Sequence, residues 1–327
     1  MRIFVAGASG ALGKRLVPML VASGHDVVGM TRSESKRDLV RGLGARPVVA
    51  DALDADAVGQ AVSEAEPDVI VHQLTAIPAS LNPRRLDRDF ELTNRLRTEG
   101  TDHLLSAGRA SGARRFVAQS FAPLSYARTG GAVKTESDPL DREPLPATQA
   151  TLAAIRHVER AVAGADWVEG VVLRYGGFYG PGTSIAVDPD TEQVAAVRGR
   201  KFPIVGGGTG VWSFVHIDDA ASATLAAIER GEPGVYNVAD DDPAPVSEWL
   251  PGMAEALGAT RPRRVPKWVA RIAAGRVGVM MMTEMRGVSN AKAKRELGWQ
   301  PSYASWRQGF AEGLSAAAEP APAGVEV

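Results

Sequence analysis

Three glycines near the start of the chain have the spacing of a turn that binds phosphate. They follow a short apolar run and precede a segment whose leucines recur at helical spacing. One glycine would allow a tight bend, one would let the backbone approach a pyrophosphate, and one would let the helix pack on the strand. The free N–H groups at the start of the helix would then face the phosphates. The predicted contacts are Gly7, Ser9, Gly10, Ala11, Leu12 and Gly13.

The end of the second predicted strand indicates which dinucleotide would bind. An acidic residue there would accept a hydrogen bond from a ribose 2′-hydroxyl and favour NAD. Here Arg32 occupies that region, with Lys36 and Arg37 close behind. Because a guanidinium suits a 2′-phosphate, the sequence favours NADP(H) over NAD(H). The alternative is a solvated basic start of a helix. Asp51, after the third strand, is expected either to accept from the adenine amino group or to cap a helix.

The elements that would carry these residues alternate between strands and helices. Apolar runs occur near residues 3–6, 26–30, 47–50, 69–72 and 115–118, and the longest predicted helix covers 83–108. Strands of this kind, separated by helices, favour a parallel sheet that is covered on both faces. The sequence therefore predicts an α/β fold, a Rossmann-like doubly wound parallel sheet.

Composition excludes several other classes of protein. The 327 residues carry 37 Lys and Arg against 38 Asp and Glu, which gives no basic excess for nucleic acid or an anionic membrane. The absence of cysteine excludes disulfides and thiolate sites, and five histidines offer little for a metal centre. We therefore expect a small-molecule substrate, no metal, no nucleic acid and no membrane partner. The cytoplasm is the expected location, since no signal peptide or membrane span is visible.

Beyond the glycine spacing, several segments resemble the extended short-chain dehydrogenases/reductases, the NAD-dependent epimerase/dehydratase group. The resemblance covers essentially the whole chain. The segments that carry it are 51–54, 71–75, Asn94 with 99–101, 173–182, 213–219, 236–238 and 291–301.

This resemblance implies a nicotinamide cofactor in an N-terminal domain and a substrate cleft above it. It implies a dinucleotide-binding domain over 1–173, to which 211–240 return, and a smaller, discontinuous C-terminal substrate lobe over 174–210 and 241–315, followed by a flexible tail over 316–327. It also implies a homodimer through helices near 83–108 and 148–163, where His157 and Glu159 are expected at the surface or interface. Further cofactor contacts are expected at Asp51, Ala52, Leu74, Thr75, Asn94 and Tyr175.

The chain departs from the family at the residues that usually do the chemistry. Members use a serine and a Tyr-x-x-x-Lys pair, in which tyrosine is the general acid/base and lysine lowers its pKa and holds the nicotinamide ribose. Here Ala147 occupies the tyrosine position and Thr151 the lysine position, and no Tyr-x-x-x-Lys occurs in the chain. Ser120 ends the fifth strand, but counting back from Tyr126 puts Ala122 at the usual serine position.

Three interpretations of this departure stay open. The chain is an oxidoreductase with a non-standard acid/base group, for which Ser120 and Tyr126 are the candidates and Lys134 and Tyr175 could reach the cleft from its rim. Alternatively, it transfers hydride to a polarised acceptor that needs little protonation. As a third interpretation, it binds NADP(H) as a sensor or scaffold without turnover. An epimerase, dehydratase or isomerase that uses bound cofactor is a further alternative.

A second departure narrows the substrate. Members of the family that act on nucleotide sugars carry an arginine for the diphosphate at the position of Trp212. Because tryptophan cannot neutralise phosphate but offers an apolar face, we expect a carbonyl or alcohol metabolite that is not a nucleotide sugar. Trp212 and Tyr179 are the candidate substrate contacts, and a core position is an equal alternative for Trp212.

Overall fold

The centre of the protein is a parallel β-sheet, seen in a computed structural model that describes residues 1–187 and 190–315. In chain order the strands are β1 (Arg2–Ala6), β2 (Asp26–Thr31), β3 (Arg46–Val49), β4 (Val69–His72), β5 (Arg115–Phe121), β6 (Val133–Lys134), β7 (Glu169–Tyr175), β8 (Gly177–Tyr179), β9 (Ile204–Val205), β10 (Val211–Trp212), β11 (Phe214–His216), β12 (Gly234–Val238), β13 (Ala244–Pro245), β14 (Arg264–Val265) and β15 (Gly287–Val288). Within this described part, seven of them form the central sheet in the order β12-β7-β5-β4-β1-β2-β3, with every pair parallel.

Helices connect these strands and cover both faces of the sheet. In chain order they are α1 (Gly13–Ala22), α2 (Arg37–Gly42), α3 (Ala55–Ala65), α4 (Leu86–Asp89), α5 (Glu91–Ser111), α6 (Gln149–Ala163), α7 (Glu192–Arg198), α8 (Ile217–Arg230), α9 (Val246–Ala256), α10 (Lys267–Thr283), α11 (Ala291–Glu296) and α12 (Trp306–Glu312). Short 3₁₀ turns occur at Glu34–Lys36, Pro83–Arg85 and Pro146–Thr148.

Alternation along the strands builds a separate apolar core on each face of the sheet. Successive side chains of a strand point to opposite faces. Val5, for example, lies in the core that contains residues of α1 and α8, whereas its neighbour Phe4 lies in the core that contains residues of α3 and α5. Both side chains are fully buried, which explains why the strands are nearly uninterrupted apolar runs.

The predicted fold class is therefore confirmed, with one correction to its longest helix. The segment predicted as a single helix over 83–108 contains a 3₁₀ turn and two α-helices, α4 and α5, which meet at Phe90. Phe90 has a φ of −96° and a ψ of 4°, outside the helical range, so the chain bends there. This bend starts α5 near the edge of the sheet where the strands end.

The remaining short strands and helices form the C-terminal part of the described chain. A third apolar core lies there, built around Trp249, Phe214 and Phe310. β12 joins the central sheet although it follows part of this region, and the predicted domain division at 173 stays a prediction. The tail predicted over 316–327 lies outside the described residues. Within 1–187 and 190–315, no helix is both long and apolar enough to cross a membrane.

Candidate active site

The glycine turn between β1 and α1 is packed so tightly that two positions exclude a side chain. Gly7 has a φ of +97°, and a Cβ there would lie 2.7 Å from the carbonyl oxygen of Gln73. A Cβ on Gly13 would lie 2.4 Å from the carbonyl oxygen of Gly7. Glycine alone fits both positions without displacing backbone. The sequence spacing therefore reflects a real close approach between the turn, the helix and the end of β4.

Backbone donors in this turn are left for a ligand. Within the described part of the chain, the N–H groups of Ala11, Leu12 and Gly13 meet no backbone acceptor. No side chain caps the start of α1. Beside the turn, the hydroxyl oxygens of Ser9 and Thr31 lie 3.1 Å apart. Free N–H groups at a helix start form a site for an anion such as a pyrophosphate, so the turn fits the phosphate-binding role predicted for it.

Arg32 lies just beyond β2 with its side chain exposed. Among residues 1–187 and 190–315 no carboxylate lies within 4.0 Å of its guanidinium, whereas Arg37 pairs with Glu34 at 2.9 Å. The residue at the end of β2 is thus a guanidinium without an internal partner. An exposed cation at this place fits a 2′-phosphate better than a 2′-hydroxyl.

The structure excludes one of the two roles expected for Asp51 and leaves the other as a prediction. One oxygen of Asp51 accepts from the N–H of Leu53 at 3.0 Å, and Asp54, not Asp51, caps α3. The helix-cap alternative for Asp51 is therefore wrong, and contact with adenine stays a prediction. The adjacent Ala52 is buried, and its carbonyl oxygen lies 2.9 Å from Nδ1 of His103.

Leu74 and Thr75 follow β4 beside the glycine turn. The N–H of Gln73 bonds to the carbonyl of Ala6 at 2.9 Å and ties this segment to the end of β1. Leu74 is half-buried, and its N–H donates to Nδ1 of His72, while Thr75 is exposed. Both predicted contacts thus lie at the edge where the parallel strands end, which is where ligands bind in open α/β sheets.

The two candidate acid/base residues belong to a buried polar network around one ion pair. Arg174, in β7, donates through Nε and Nη2 to the two carboxylate oxygens of Glu159, in α6, at 2.7 and 2.6 Å. Ser120 donates to the same carboxylate at 2.7 Å. Tyr126 accepts from Nη1 of Arg174 at 2.7 Å and donates to Oδ1 of Asn237 at 2.7 Å.

This network engages both candidate hydroxyls inside the protein. Ser120 is 5% exposed and Tyr126 is also 5% exposed. Burial raises the pKa of Tyr126, against the opposite effect of the neighbouring Arg174. A tyrosine whose only proton is already given to Asn237 must break that bond before it protonates a substrate. The structure therefore does not show either residue presented to a ligand.

The positions predicted for the family's tyrosine and lysine hold a different arrangement. Ala147 is half-buried and packs beside an apolar cluster, while Thr151 is buried near the start of α6. Nδ2 of Asn94 lies 3.3 Å from Oγ1 of Thr151, and Oδ1 of Asn94 is buried without a partner. Lys134 bonds to the carbonyl of Thr129 and pairs with Asp138 at 3.3 Å, so its ammonium is also engaged.

Three aromatic residues predicted at the site pack in apolar cores instead. The hydroxyl of Tyr175 lies 2.7 Å from Oγ1 of Thr224, and its ring belongs to the core on the α1 side of the sheet. Tyr179 is fully buried, with its ring edge-on to that of Phe310. Nε1 of Trp212 donates to the carbonyl of Met281, and its ring stacks near Trp249 in the C-terminal core. The side chains of Tyr175 and Tyr179 thus lie among core residues. Trp212 is half-buried at the border of two apolar clusters, and its contact with a substrate stays a prediction.

Sequence reasoning misplaced or missed the charged members of the network. Glu159, expected at the surface or in a dimer interface, is 6% exposed and pairs with Arg174 inside the protomer. The sequence contains a signal for this pair, because Arg174 lies near the end of a largely apolar strand and a buried arginine requires a buried partner. His157, by contrast, is half-buried and pairs with Asp102 of α5 at 2.7 Å. No group of three or more potential metal-ligating side chains occurs among the described residues.

Comparison with protein families finds one family over most of the chain. Residues 3–239 match the model of the NAD dependent epimerase/dehydratase family. The likeness to solved structures extends further, to a UDP-glucose 4-epimerase of Thermus thermophilus in complex with NAD. That structure has a TM-score of 0.72 and 24% sequence identity, and the match covers 96% of this chain and 98% of the epimerase. It shows the same fold.

Two curated relatives carry the names of reductases. A protein of a Streptomyces species, named 3-diazoavenalumate denitrifying reductase, is 46% identical over 316 residues, which cover 95% of this chain and 99% of the relative. A protein of Stigmatella aurantiaca, named 4-hydroxy-2-methyl-3-oxo-4-farnesyl-3,4-dihydroquinoline-1-oxide ketoreductase, is 28% identical and covers 99% of this chain and 98% of the relative. Each match covers at least 95% of both proteins.

The buried ion pair yields a prediction about stability. Replacing Glu159 by Gln leaves the guanidinium of Arg174 buried without a countercharge, which costs about 3–5 kcal/mol of unfolding free energy. Urea unfolding followed by circular dichroism measures this change. Glu169→Gln is the matched control, because Glu169 pairs with Arg115 but its side chain is 54% exposed. The control should lose at most about 1 kcal/mol. An equal loss of unfolding free energy in both variants would show that the buried pair stabilises the protein no more than an exposed pair does, and would contradict this prediction.

Proposed function

Because the chain belongs to the NAD-dependent epimerase/dehydratase family, we propose that it is an NADP(H)-dependent reductase that delivers hydride to a small substrate other than a nucleotide sugar. The family and the reductase relatives make it an oxidoreductase or an epimerase-like enzyme. The proposal adds the cofactor preference, the substrate class and the way in which the site works without the usual tyrosine and lysine.

One observation carries the proposal: the hydroxyl and ammonium groups named as possible proton donors are all engaged within the protein. Ser120 is bonded to Glu159, Tyr126 to Asn237, and Lys134 to Asp138. The hydroxyl of Tyr175 is fully buried, and burial raises its pKa far above the ordinary value. These four groups favour an acceptor that is reduced by hydride alone, because each would have to give up its internal contact or leave its buried position before it could protonate a substrate.

The name of the Streptomyces relative contains a diazo group, which we propose is reduced in its diazonium form, R–N₂⁺. A diazonium group is electrophilic without protonation. Hydride forms the new C–H bond, the C–N bond breaks, and its electron pair leaves with dinitrogen, so no proton is taken up. We extend this substrate class to the present chain on the strength of 46% identity across 95% of its length. The absence of a cation at Trp212, whose ring packs in the core, supports a substrate without a diphosphate.

The residues of the chain have distinct parts in this proposal. The N–H groups of Ala11, Leu12 and Gly13 would hold the pyrophosphate, and Arg32 the 2′-phosphate. The segment at Leu74 and Thr75 would lie along the cofactor beside the turn. Bound NADPH would supply the hydride. The protein's contribution is therefore to bind and orient the two reactants, which lowers the barrier by holding them close together.

We also propose a cellular location and an oligomeric state for this protein. We place the reductase in the cytoplasm, which supplies NADPH. A homodimer through the outward faces of α5 and α6 remains part of the proposal. Those faces carry the pairs Arg95–Glu99 and Asp102–His157, so such an interface would be polar.

The first prediction from the proposed function concerns Arg32. Replacing it by Gln removes the cation proposed for the 2′-phosphate, so the dissociation constant of NADPH should rise about ten- to a hundredfold, the equivalent of a charge-assisted hydrogen bond. The affinity for NADH should stay the same, because NADH lacks that phosphate. Isothermal titration calorimetry with both cofactors measures the difference.

Arg41→Gln is the control for Arg32→Gln, since Arg41 is an exposed arginine on the next helix that pairs with Asp38. It should leave both affinities unchanged. If the wild-type protein binds NADH more tightly than NADPH, the cofactor preference is refuted.

A second prediction concerns the substrate. With 3-diazoavenalumate as acceptor, the protein should oxidise NADPH and release dinitrogen in a one-to-one ratio, and ketone acceptors should react far more slowly. Mass spectrometry of the product made from NADPH deuterated at C4 of its nicotinamide should find one deuterium on the carbon that lost nitrogen. Rapid reduction of ketones with no reaction of the diazo compound would refute the substrate class.

Replacement of Tyr126 by Phe gives a third prediction. The variant should be less stable by about 1–3 kcal/mol, because Asn237 and Arg174 each lose a buried partner. Its rate of hydride transfer in a single turnover should stay within about threefold of the wild-type rate, since the hydroxyl gives no proton to the substrate. A loss of a hundredfold or more in rate, with stability retained, would instead identify Tyr126 as the acid.

A further inference from the structure

Arg97 of α5 is a buried cation with no countercharge. The residue is 3% exposed, and its Nε and Nη1 atoms are sealed from solvent without any hydrogen-bond partner. No carboxylate among residues 1–187 and 190–315 pairs with it. The carbon atom Cζ of its guanidinium lies over the ring of Phe90, 6.0 Å from the ring centroid. A buried charge in this state is expensive, so it demands an explanation that packing alone does not provide.

The neighbours of Arg97 on α5 indicate which part of the proposed cofactor site its guanidinium faces. Phe90, Asn94, Arg97 and Thr101 recur at helical spacing and form one stripe of α5. The guanidinium reaches back toward Phe90, at the start of the helix, and so runs past Asn94. Asn94 bonds to Thr151 of α6. Asn94 lies three residues before Arg97 on this stripe, so the two side chains are neighbours on the surface of α5.

The groups around Arg97 add no negative charge. On the strand side, His72 bonds to Thr101, and burial together with the nearby Arg97 lowers the pKa of His72 to about 4, so that its ring is neutral at physiological pH. Burial lowers the pKa of Arg97 itself to about 10, which leaves the guanidinium charged. None of these neighbouring groups therefore supplies the negative charge or the hydrogen-bond acceptors that the guanidinium lacks.

A second unsatisfied atom defines the chemistry of that partner. Oδ1 of Asn94 is buried and accepts no hydrogen bond, although its Nδ2 is engaged by Thr151. The site thus offers donors on Arg97 and an acceptor on Asn94. A carboxylate accepts from the guanidinium but has no proton for the amide oxygen. Two adjacent hydroxyls satisfy both, because each accepts and donates.

We propose that Arg97 and Asn94 together bind the ribose hydroxyls at the nicotinamide end of the cofactor, so that an arginine from α5 supplies the cation that Thr151 does not. This inference rests on the proposed NADP(H) dependence. In the complex, the guanidinium of Arg97 gains hydrogen bonds to the cofactor. In the free protein its charge stays buried and unpaired, which lowers the stability of the free protein. The same residue fixes the orientation of the ring that carries the hydride.

Replacement of Arg97 by Met tests the proposal, because a binding role and a structural role predict opposite effects on the free protein. Methionine fills a similar length without a charge, so the melting temperature of the free protein should rise. The dissociation constant of NADPH should increase about ten- to a hundredfold, the range for hydrogen bonds to a charged group. A lower melting temperature with unchanged NADPH binding would show a structural role and overturn the proposal.

A fragment of the cofactor separates this site from the adenine half. Adenosine 2′,5′-bisphosphate has no nicotinamide ribose, so its affinity should be equal in wild type and Arg97→Met, whereas Arg32→Gln should weaken it. Arg95→Met is the matched control, because Arg95 lies on the same helix, is half-exposed and pairs with Glu99 at 2.7 Å. It should leave NADPH binding unchanged. Arg97→Lys should recover part of the NADPH affinity.

Two further outcomes would overturn the inference and are distinguishable from each other. If wild type binds no nicotinamide cofactor, the proposed function fails and this inference fails with it. If wild type and Arg97→Met bind NADPH equally, while only the Michaelis constant of the substrate rises in the variant, the guanidinium serves the substrate. The inference then fails, and the proposed function stands.

Discussion

The buried pair of Glu159 and Arg174 is the interaction on which the arrangement of the site depends. It joins α6 to β7, and through Ser120 and Tyr126 it also holds β5 and the loop that follows it. Tyr126 continues the network to Asn237 in β12, so one helix, three strands and one loop are tied together. The hydrogen bonds of this pair offset the cost of burying two charges. Loss of either partner would leave the other charge buried without a countercharge.

The same network also determines which side chains are available to a substrate or a cofactor. It engages the hydroxyls of Ser120 and Tyr126, which the family resemblance places near a substrate. The groups that we assign to cofactor binding lie outside this network. They are the N–H groups at the start of α1, the exposed Arg32, and the buried Arg97 with Asn94. We therefore propose that the protein holds and orients the reactants for chemistry that needs only hydride.

Much of the fold could be predicted from sequence, because it depends on local patterns. Apolar runs separated by helical segments predicted the parallel sheet, and Gly7, Gly10 and Gly13 predicted the turn that the close approach to Gln73 explains. The break at Phe90 was missed, since no proline or glycine marks it. The partners of Tyr126 and Ser120 were also missed, because contacts between residues as far apart as 126 and 237 leave no periodic signal. Arg174 in an apolar strand was the one hint of a buried acid.

The pH dependence of hydride transfer in light and heavy water tests the central claim, that no side-chain acid takes part, most directly. Single turnovers of enzyme-bound NADPH with a diazonium acceptor should show a rate that changes by less than about twofold between about pH 6 and pH 9, with no solvent isotope effect. Deuterium at C4 of the nicotinamide should lower the rate of hydride transfer, because the bond from C4 to hydrogen breaks in that step. A rate that follows a single pKa and falls about twofold or more in heavy water would show proton transfer in the transition state and contradict the account.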